Sequence, residues 1–253
     1  MIDTVLFDMG GTLEELSVDE DSRARAAAAA LQILRGHGLP VSDTVDAALK
    51  KLDAGWNRYD KYRTSTNREL KPDEIWGEYV LTDFGLSRNA VAPFAEELAH
   101  MWEVTYYHRR LRPRVAEMLE GLRSLDIKLG VVSNTASLYQ VFEILEQYGI
   151  RDYFRDVTLS SVTGYRKPDE NIFKIALCQV RSDPSACAYA GDTYSRDILG
   201  ARRAGFGMTF HIHSFLTNLK DAGVERAEAA TYTVEDIYDI CSILRELRER
   251  GDA

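Results

Sequence analysis

The feature that most constrains the fold is a set of three short, nearly all-apolar runs far apart in the chain: Thr4–Phe7, 128–132 and 186–190. Strands that read apolar along their whole length are covered on both faces, the pattern of a parallel sheet with helices on each side. Weaker strand patterns lie at 157–160, 207–212 and 231–234. Helical patterns alternate with these runs, at about 113–125, 137–148, 169–179, 195–204 and 235–249. The alternation predicts an α/β fold with a doubly wound parallel sheet.

Residues 15–110 break that rhythm and read as helical, with no convincing strand. Asp21 is placed to start a helix through residues 23–34, which Gly36 and Gly38 end. Further helices are expected at 42–62, 72–84 and 91–107, started by Ser42 or Asp43, by Pro72 and by Pro93. The alanines at 26–30 read as a close-packed helix face. Trp56, Tyr59, Tyr62, Trp76 and Tyr79 recur at helical spacing, as core residues of this segment would, with Arg58 and Arg63 facing water. The expected organisation is an α/β core of residues 1–14 and 111–253 with an α-helical domain of residues 15–110 inserted after the first strand. Residues 250–253 are expected to fray.

With 253 residues the chain is long enough for a core plus a smaller inserted domain. A formal net charge of -9 argues against nucleic acid, whose phosphates need a basic face, but leaves room for a local basic patch that binds a small anion. Cys178, Cys187 and Cys241 form no CxxC pair and read as buried, reduced thiols. The Met1-Ile2-Asp3 start shows no signal-like region, and no run approaches the ~20 apolar residues of a membrane span. A cytoplasmic location is expected.

The residues that carry chemistry lie where the apolar runs end. Asp8 closes the first run, and Gly10, Gly11 and Thr12 turn the chain. An acid at the carboxyl end of a buried parallel strand sits where open α/β sheets bind ligands. Small residues in the turn let backbone N–H groups, with Thr12, approach phosphoryl oxygens, although a simple tight turn explains them equally. Ser133 and Asn134 follow the second run, as a phosphate-binding hydroxyl or as a turn and helix cap. Lys167 stands in Gly164-Tyr165-Arg166-Lys167-Pro168, with Arg166 a peripheral neighbour. Asp192 and Asp197 stand in Gly191-Asp192-Thr193-Tyr194-Ser195-Arg196-Asp197. The stretch from Gly200 to Gly207 follows a helix, and so reads as a helix end and turn instead of a nucleotide loop.

This ordered set resembles the haloacid dehalogenase-like (HAD) superfamily of hydrolases and phosphotransferases across nearly the whole core. The resemblance implies a Rossmann-like core with a helical cap that governs substrate choice. It implies that Asp8 is a nucleophile forming a covalent intermediate, that Lys167 neutralises it and the phosphoryl group, and that Ser133 binds phosphate. It also implies Mg²⁺, held by Asp8, Asp192 and the backbone carbonyl of Gly10, with Asp197 a ligand or one step removed. The implied activity is Mg²⁺-dependent hydrolysis of a small phosphorylated metabolite.

Gly10 departs from the pattern, because the common phosphatases carry a second aspartate there as general acid and base. Such catalysis contributes about 10²–10⁴-fold. Four readings stay open. A slow phosphatase would replace the acid with water or another residue; Glu14 and Glu15 follow the motif, although solvated acids are the simpler account of them. A phosphonatase-like enzyme would use Lys50 or Lys51 to form a Schiff base. A metal-free 2-haloacid dehalogenase is disfavoured by the acidic Asp192 and Asp197. A non-catalytic module would bind a phosphate ligand or a partner without turnover.

Overall fold

A computed structural model of the chain describes residues 1–224 and 229–251. Among these, eight strands form two sheets: β1 (Thr4–Phe7), β2 (Glu14–Ser17), β3 (His108–Leu111), β4 (Lys128–Ser133), β5 (Asp156–Leu159), β6 (Cys187–Gly191), β7 (Met208–Ile212) and β8 (Tyr232–Val234). Six of them make one sheet of order β5-β4-β1-β6-β7-β8, parallel throughout. The three apolar runs are its centre, with β1 between β4 and β6. Their side chains alternate between two apolar clusters. Val5, Phe7, Val131 and Ala190 face one cluster, and Leu6, Val132 and Tyr189 face the other. This two-sided burial is why these strands carry so few polar residues. The chain builds outward from β1 through β4 to β5, then crosses to β6, so the order reverses beside β1. Ligands bind at such a switch point, outside the carboxyl ends of the strands.

Core helices occupy Val115–Ser124, Gln140–Gln147, Glu170–Val180, Leu199–Arg203 and Asp239–Arg250. A wider π-helical turn at Tyr194–Ile198 leads into the fourth of these. Arg250 closes the last helix and Gly251 takes a left-handed φ of 77°. The rest of the segment expected to fray, 252–253, lies outside the described residues. Cys187 and Cys241 are buried, but Cys178 is exposed, which corrects the expectation for that thiol. Its helix buries Ile172, Phe173, Ala176, Leu177 and Val180, and position 178 falls off that stripe. No helix among the described residues is long and apolar enough to cross a membrane.

Between β2 and β3 the chain forms helices Glu20–Gly36, Val45–Thr66 and Ala95–Tyr106, with short helical turns between Pro72 and Phe94. They enclose a separate apolar cluster containing the buried alanines 26, 27 and 30, Leu52, Tyr59 and Trp76. Trp56 packs against Trp76 and Trp102, and Tyr59 against Tyr62 and Tyr79. The first helix is capped two residues earlier than expected, because Asp19 and not Asp21 accepts from the Ser22 N–H at 2.7 Å. Thr44 caps the second helix, one residue beyond Asp43. The absence of strands expected for 15–110 is also corrected. Residues 14–17 pair antiparallel with 108–111, Glu14 opposite Leu111 and Ser17 opposite His108. Neither four-residue strand carries an apolar run, so periodicity had nothing to detect.

Candidate active site

The first glycine-rich turn aims Asp8 across the carboxyl ends of β1, β4 and β6. Gly11 takes φ 93°, and a Cβ there would collide with the Asp192 carboxylate. Glycine is therefore required twice over, for conformation and for space. The Asp8 N–H donates to the Ala190 carbonyl at 2.9 Å, continuing the ladder between β1 and β6.

Lys167 is the hub of the site. Its Nζ donates to Asp8 Oδ1, to the Val132 carbonyl at 2.9 Å and to Tyr189 Oη at 3.0 Å, and it pairs with Asp197 Oδ1 at 2.8 Å. Asn134 holds the lysine's own backbone. Asn134 Oδ1 accepts from the Lys167 N–H at 2.9 Å and Nδ2 donates to the Lys167 carbonyl at 3.2 Å. Asp197 also accepts from the Thr193 N–H at 3.0 Å and from Tyr189 Oη at 3.2 Å. Ser214 Oγ donates to Asp192 Oδ2, while Asp192 Oδ1 is buried and has no hydrogen-bond partner.

Asp8, Asp192 and Asp197 bring carboxylate oxygens within 4.8 Å of one another. Burial, reinforced by Asp8 and Asp197, pushes the Asp192 carboxyl well above the ordinary carboxylate range. Burial also raises Asp8 against the opposing pull of Lys167. For Asp197 burial acts in the same direction, but Lys167 and Arg196 outweigh it and hold the group below its usual value. Two of the three clustered buried acids thus share one lysine, and the third, Asp192, keeps a bare oxygen. Hard oxygen donors with excess negative charge suit a divalent cation such as Mg²⁺.

A cavity of about 410 Å³ opens over Asp8, lined also by Gly10, Ser133, Asn134 and Lys167. Thr12 does not line it. That residue is fully buried behind Asp8, with Oγ1 donating to Asp8 Oδ2 at 3.4 Å. Lys51 pairs with Asp43 at 2.6 Å, Lys50 is exposed, and neither lines the cavity, so the Schiff-base reading has no lysine there from that helix.

Four residues take places that their sequence context did not announce. Glu14 is not a solvated acid. Its side chain is fully buried, bonded to Arg109 and accepting from Tyr148 Oη at 3.1 Å. Burial raises its carboxyl, opposed by Arg109. A Cβ on Gly10 would lie 3.7 Å from Glu14 Oε1 and 3.0 Å from Leu16 Cδ1, so that ground is already held. Glu15 stays partly exposed, bonded to Arg110 at 2.5 Å. Tyr189 was hidden inside an apolar strand, yet its hydroxyl joins Lys167 to Asp197. Arg166 is not peripheral either, since it is buried against Glu69 Oε2. Glu69 also accepts from Ser160 Oγ at 2.7 Å and from Tyr59 Oη. Backbone bonds from Glu69 N–H to the Gly164 carbonyl (3.1 Å) and from Arg166 N–H to the Asn67 carbonyl (3.0 Å) tie the helical segment to the loop carrying Lys167. Arg63, expected to face water, pairs with Asp60 and reaches the cavity.

Comparison with known proteins fits this geometry. The family model described as haloacid dehalogenase-like hydrolase matches residues 2–205. The chain is 39% identical over 188 residues to haloacid dehalogenase-like hydrolase domain-containing protein 3 of Bos taurus, covering 72% of this chain and 70% of that protein. It is 28% identical over 252 residues to a glyceraldehyde 3-phosphate phosphatase of Methanothermobacter thermautotrophicus, covering 96% of this chain and 100% of the relative. The crystal structure of a HAD phosphatase from Thermococcus onnurineus superposes with a TM-score of 0.63 at 23% identity, covering 96% and 98% of the two chains.

Proposed function

Because this chain belongs to the haloacid dehalogenase-like hydrolases, we propose that it is a Mg²⁺-dependent phosphatase of small phosphorylated metabolites, working through an aspartyl-phosphate on Asp8. The observation that carries this reading is the buried Asp8–Lys167–Asp197 cluster, joined by an Asp192 carboxylate with an unpartnered oxygen. The phosphatase relatives support the same class of reaction. Residues 1–14 and 111–253 are taken as the core and 15–110 as its cap.

Asp8, Asp192, Asp197 and the Gly10 carbonyl would hold Mg²⁺, which when bound supplies positive charge to the transferring phosphoryl group. Lys167 engages Asp8 Oδ1 and leaves Oδ2, with its long bond from Thr12, as the freer oxygen to attack phosphorus. The bond from phosphorus to the leaving oxygen breaks as the Asp8–phosphorus bond forms, and water later hydrolyses the acyl phosphate. Lys167 and Ser133 hold phosphoryl oxygens while charge crowds there. Gly10 offers no acid to the leaving group, so esters with acidic leaving groups are the favoured substrates. Phosphoryl transfer rests mainly on positioning and charge stabilisation, which this site retains.

Hydrolysis of p-nitrophenyl phosphate, whose leaving group needs little protonation, tests the reading when run with Mg²⁺ and with EDTA beside a thermal melt. Mg²⁺ is expected to start turnover and to raise Tm by about 2–4 °C for each kcal/mol of binding. Asp192→Asn is expected to lose that shift and to melt higher than the wild type without metal, because it removes a crowded buried carboxylate. Turnover undiminished in EDTA would exclude a required Mg²⁺.

A further inference from the structure

The cavity above Asp8 holds more positive charge than one phosphoryl group requires. Three of its arginines are already matched by acids. Arg63 pairs with Asp60, Arg109 with Glu14 and Glu103, and Arg166 with Glu69. Lys167 is matched by Asp8 and Asp197. Arg196 and Lys220 also line the cavity, and among the described residues no carboxylate lies within 4.0 Å of either.

These two cations are placed differently. Arg196 sits in the turn after β6, where Nε donates to Thr193 Oγ1 at 3.3 Å, and its charge is felt by Asp8, Asp192 and Asp197. Lys220 ends the helix Phe215–Lys220 at the cavity mouth. Burial depresses its ammonium, Asp60 opposes this, and Arg196, Arg63 and Arg166 depress it further. Several cations therefore converge on one space in a protein whose net charge is -9. A concentration of one sign of charge inside a cleft selects the opposite sign in its ligand.

We propose that the substrate is a phosphate monoester carrying a second anionic group, a carboxylate or another phosphate, which Arg196 and Lys220 bind while the phosphoryl group to be transferred lies at Asp8. This rests on the phosphatase reading and narrows it to a substrate class. Arginine's planar fork meets a carboxylate or phosphate through paired N–H donors, and lysine adds a point charge. A volume of about 410 Å³ suits a metabolite of a few carbons with both groups. A monoester without the second anion leaves both cations uncompensated.

The test is calorimetric binding to the whole protein with Mg²⁺, using two matched pairs. 3-Phosphoglycerate against glycerol 3-phosphate isolates a carboxylate. Fructose 1,6-bisphosphate against fructose 6-phosphate isolates a second phosphate. One doubly anionic member is expected to bind about tenfold or more tightly than its partner. Lys220→Met, which keeps the length of the apolar stem and removes only the charge at the last residue of its helix, is expected to cut that ratio about tenfold, equivalent to about 1.4 kcal/mol. Equal affinity within both pairs, a ratio that Lys220→Met leaves intact, or no binding of any of the four would overturn the proposal. p-Nitrophenyl phosphate turnover measured alongside separates the two claims. Turnover without discrimination removes the second-anion subsite alone, whereas discrimination without turnover removes the hydrolase reading and keeps the subsite.

Discussion

Asp8→Asn is expected to lower kcat for any phosphate ester by at least about 10³-fold while the protein still unfolds in one cooperative transition. An amide oxygen is a poor nucleophile and cannot carry the acyl-phosphate intermediate. The fold should survive, because Lys167 keeps Asp197 at 2.8 Å and its bonds to Val132 and Tyr189. The substitution also removes one of three crowded buried carboxylates. Steady-state rates and denaturant melts of the two proteins read both halves of the expectation. An Asp8→Asn enzyme with wild-type rates would exclude Asp8 as the nucleophile.

The second large effect is expected far from the reacting atoms. Glu69→Ala should cost about 3–5 kcal/mol, because it leaves the buried Arg166 guanidinium without its acid. It also strips an acceptor from Ser160 and Tyr59. Replacing both charges together, as Glu69→Leu with Arg166→Met, should restore most of the loss, since a matched apolar pair leaves no charge buried. Urea unfolding of the single and double variants measures this. A loss below about 1 kcal/mol for Glu69→Ala would mean that the pair does not hold the two segments together. Because Arg166 adjoins Lys167, the single variant should also lose turnover beyond its loss of stability.

What the sequence disclosed, and what it did not, follows from how far each signal reaches. β1, β4 and β6 were legible because strands buried on both faces must be apolar at successive positions, a local property. Asp8, Ser133, Lys167, Asp192 and Asp197 were legible as an ordered set, and the fold brings Asp8, Lys167, Asp192 and Asp197 into one cluster. The ribbon of β2 and β3 was not legible. Its strands, EELS and HRRL, are polar and are stabilised by pairing across more than ninety residues of chain. Glu14 and Arg166 were misjudged for the same reason. A charged side chain is buried only when a partner comes to meet it, and Arg109 and Glu69 approach from remote positions. Tyr189 passed as a strand aromatic because its ring does pack among Phe173 and Phe206, and only the hydroxyl reaches the site.

The absence of an acid–base group at Gly10 should leave a chemical trace at Asp8. With p-nitrophenyl phosphate the first transfer needs no general acid, but hydrolysis of the resulting acyl phosphate lacks a side-chain base at residue 10. The covalent intermediate should therefore accumulate, with a burst of nitrophenolate approaching one equivalent per site. Acid quenching during the burst, followed by digestion and peptide mass mapping, locates the phosphoryl group. A hydroxylamine-labile phosphoryl group is expected on the peptide that contains Asp8, and none in Asp8→Asn. A phosphoryl group on any other residue, or turnover that proceeds with no trapped intermediate and no burst, would contradict it.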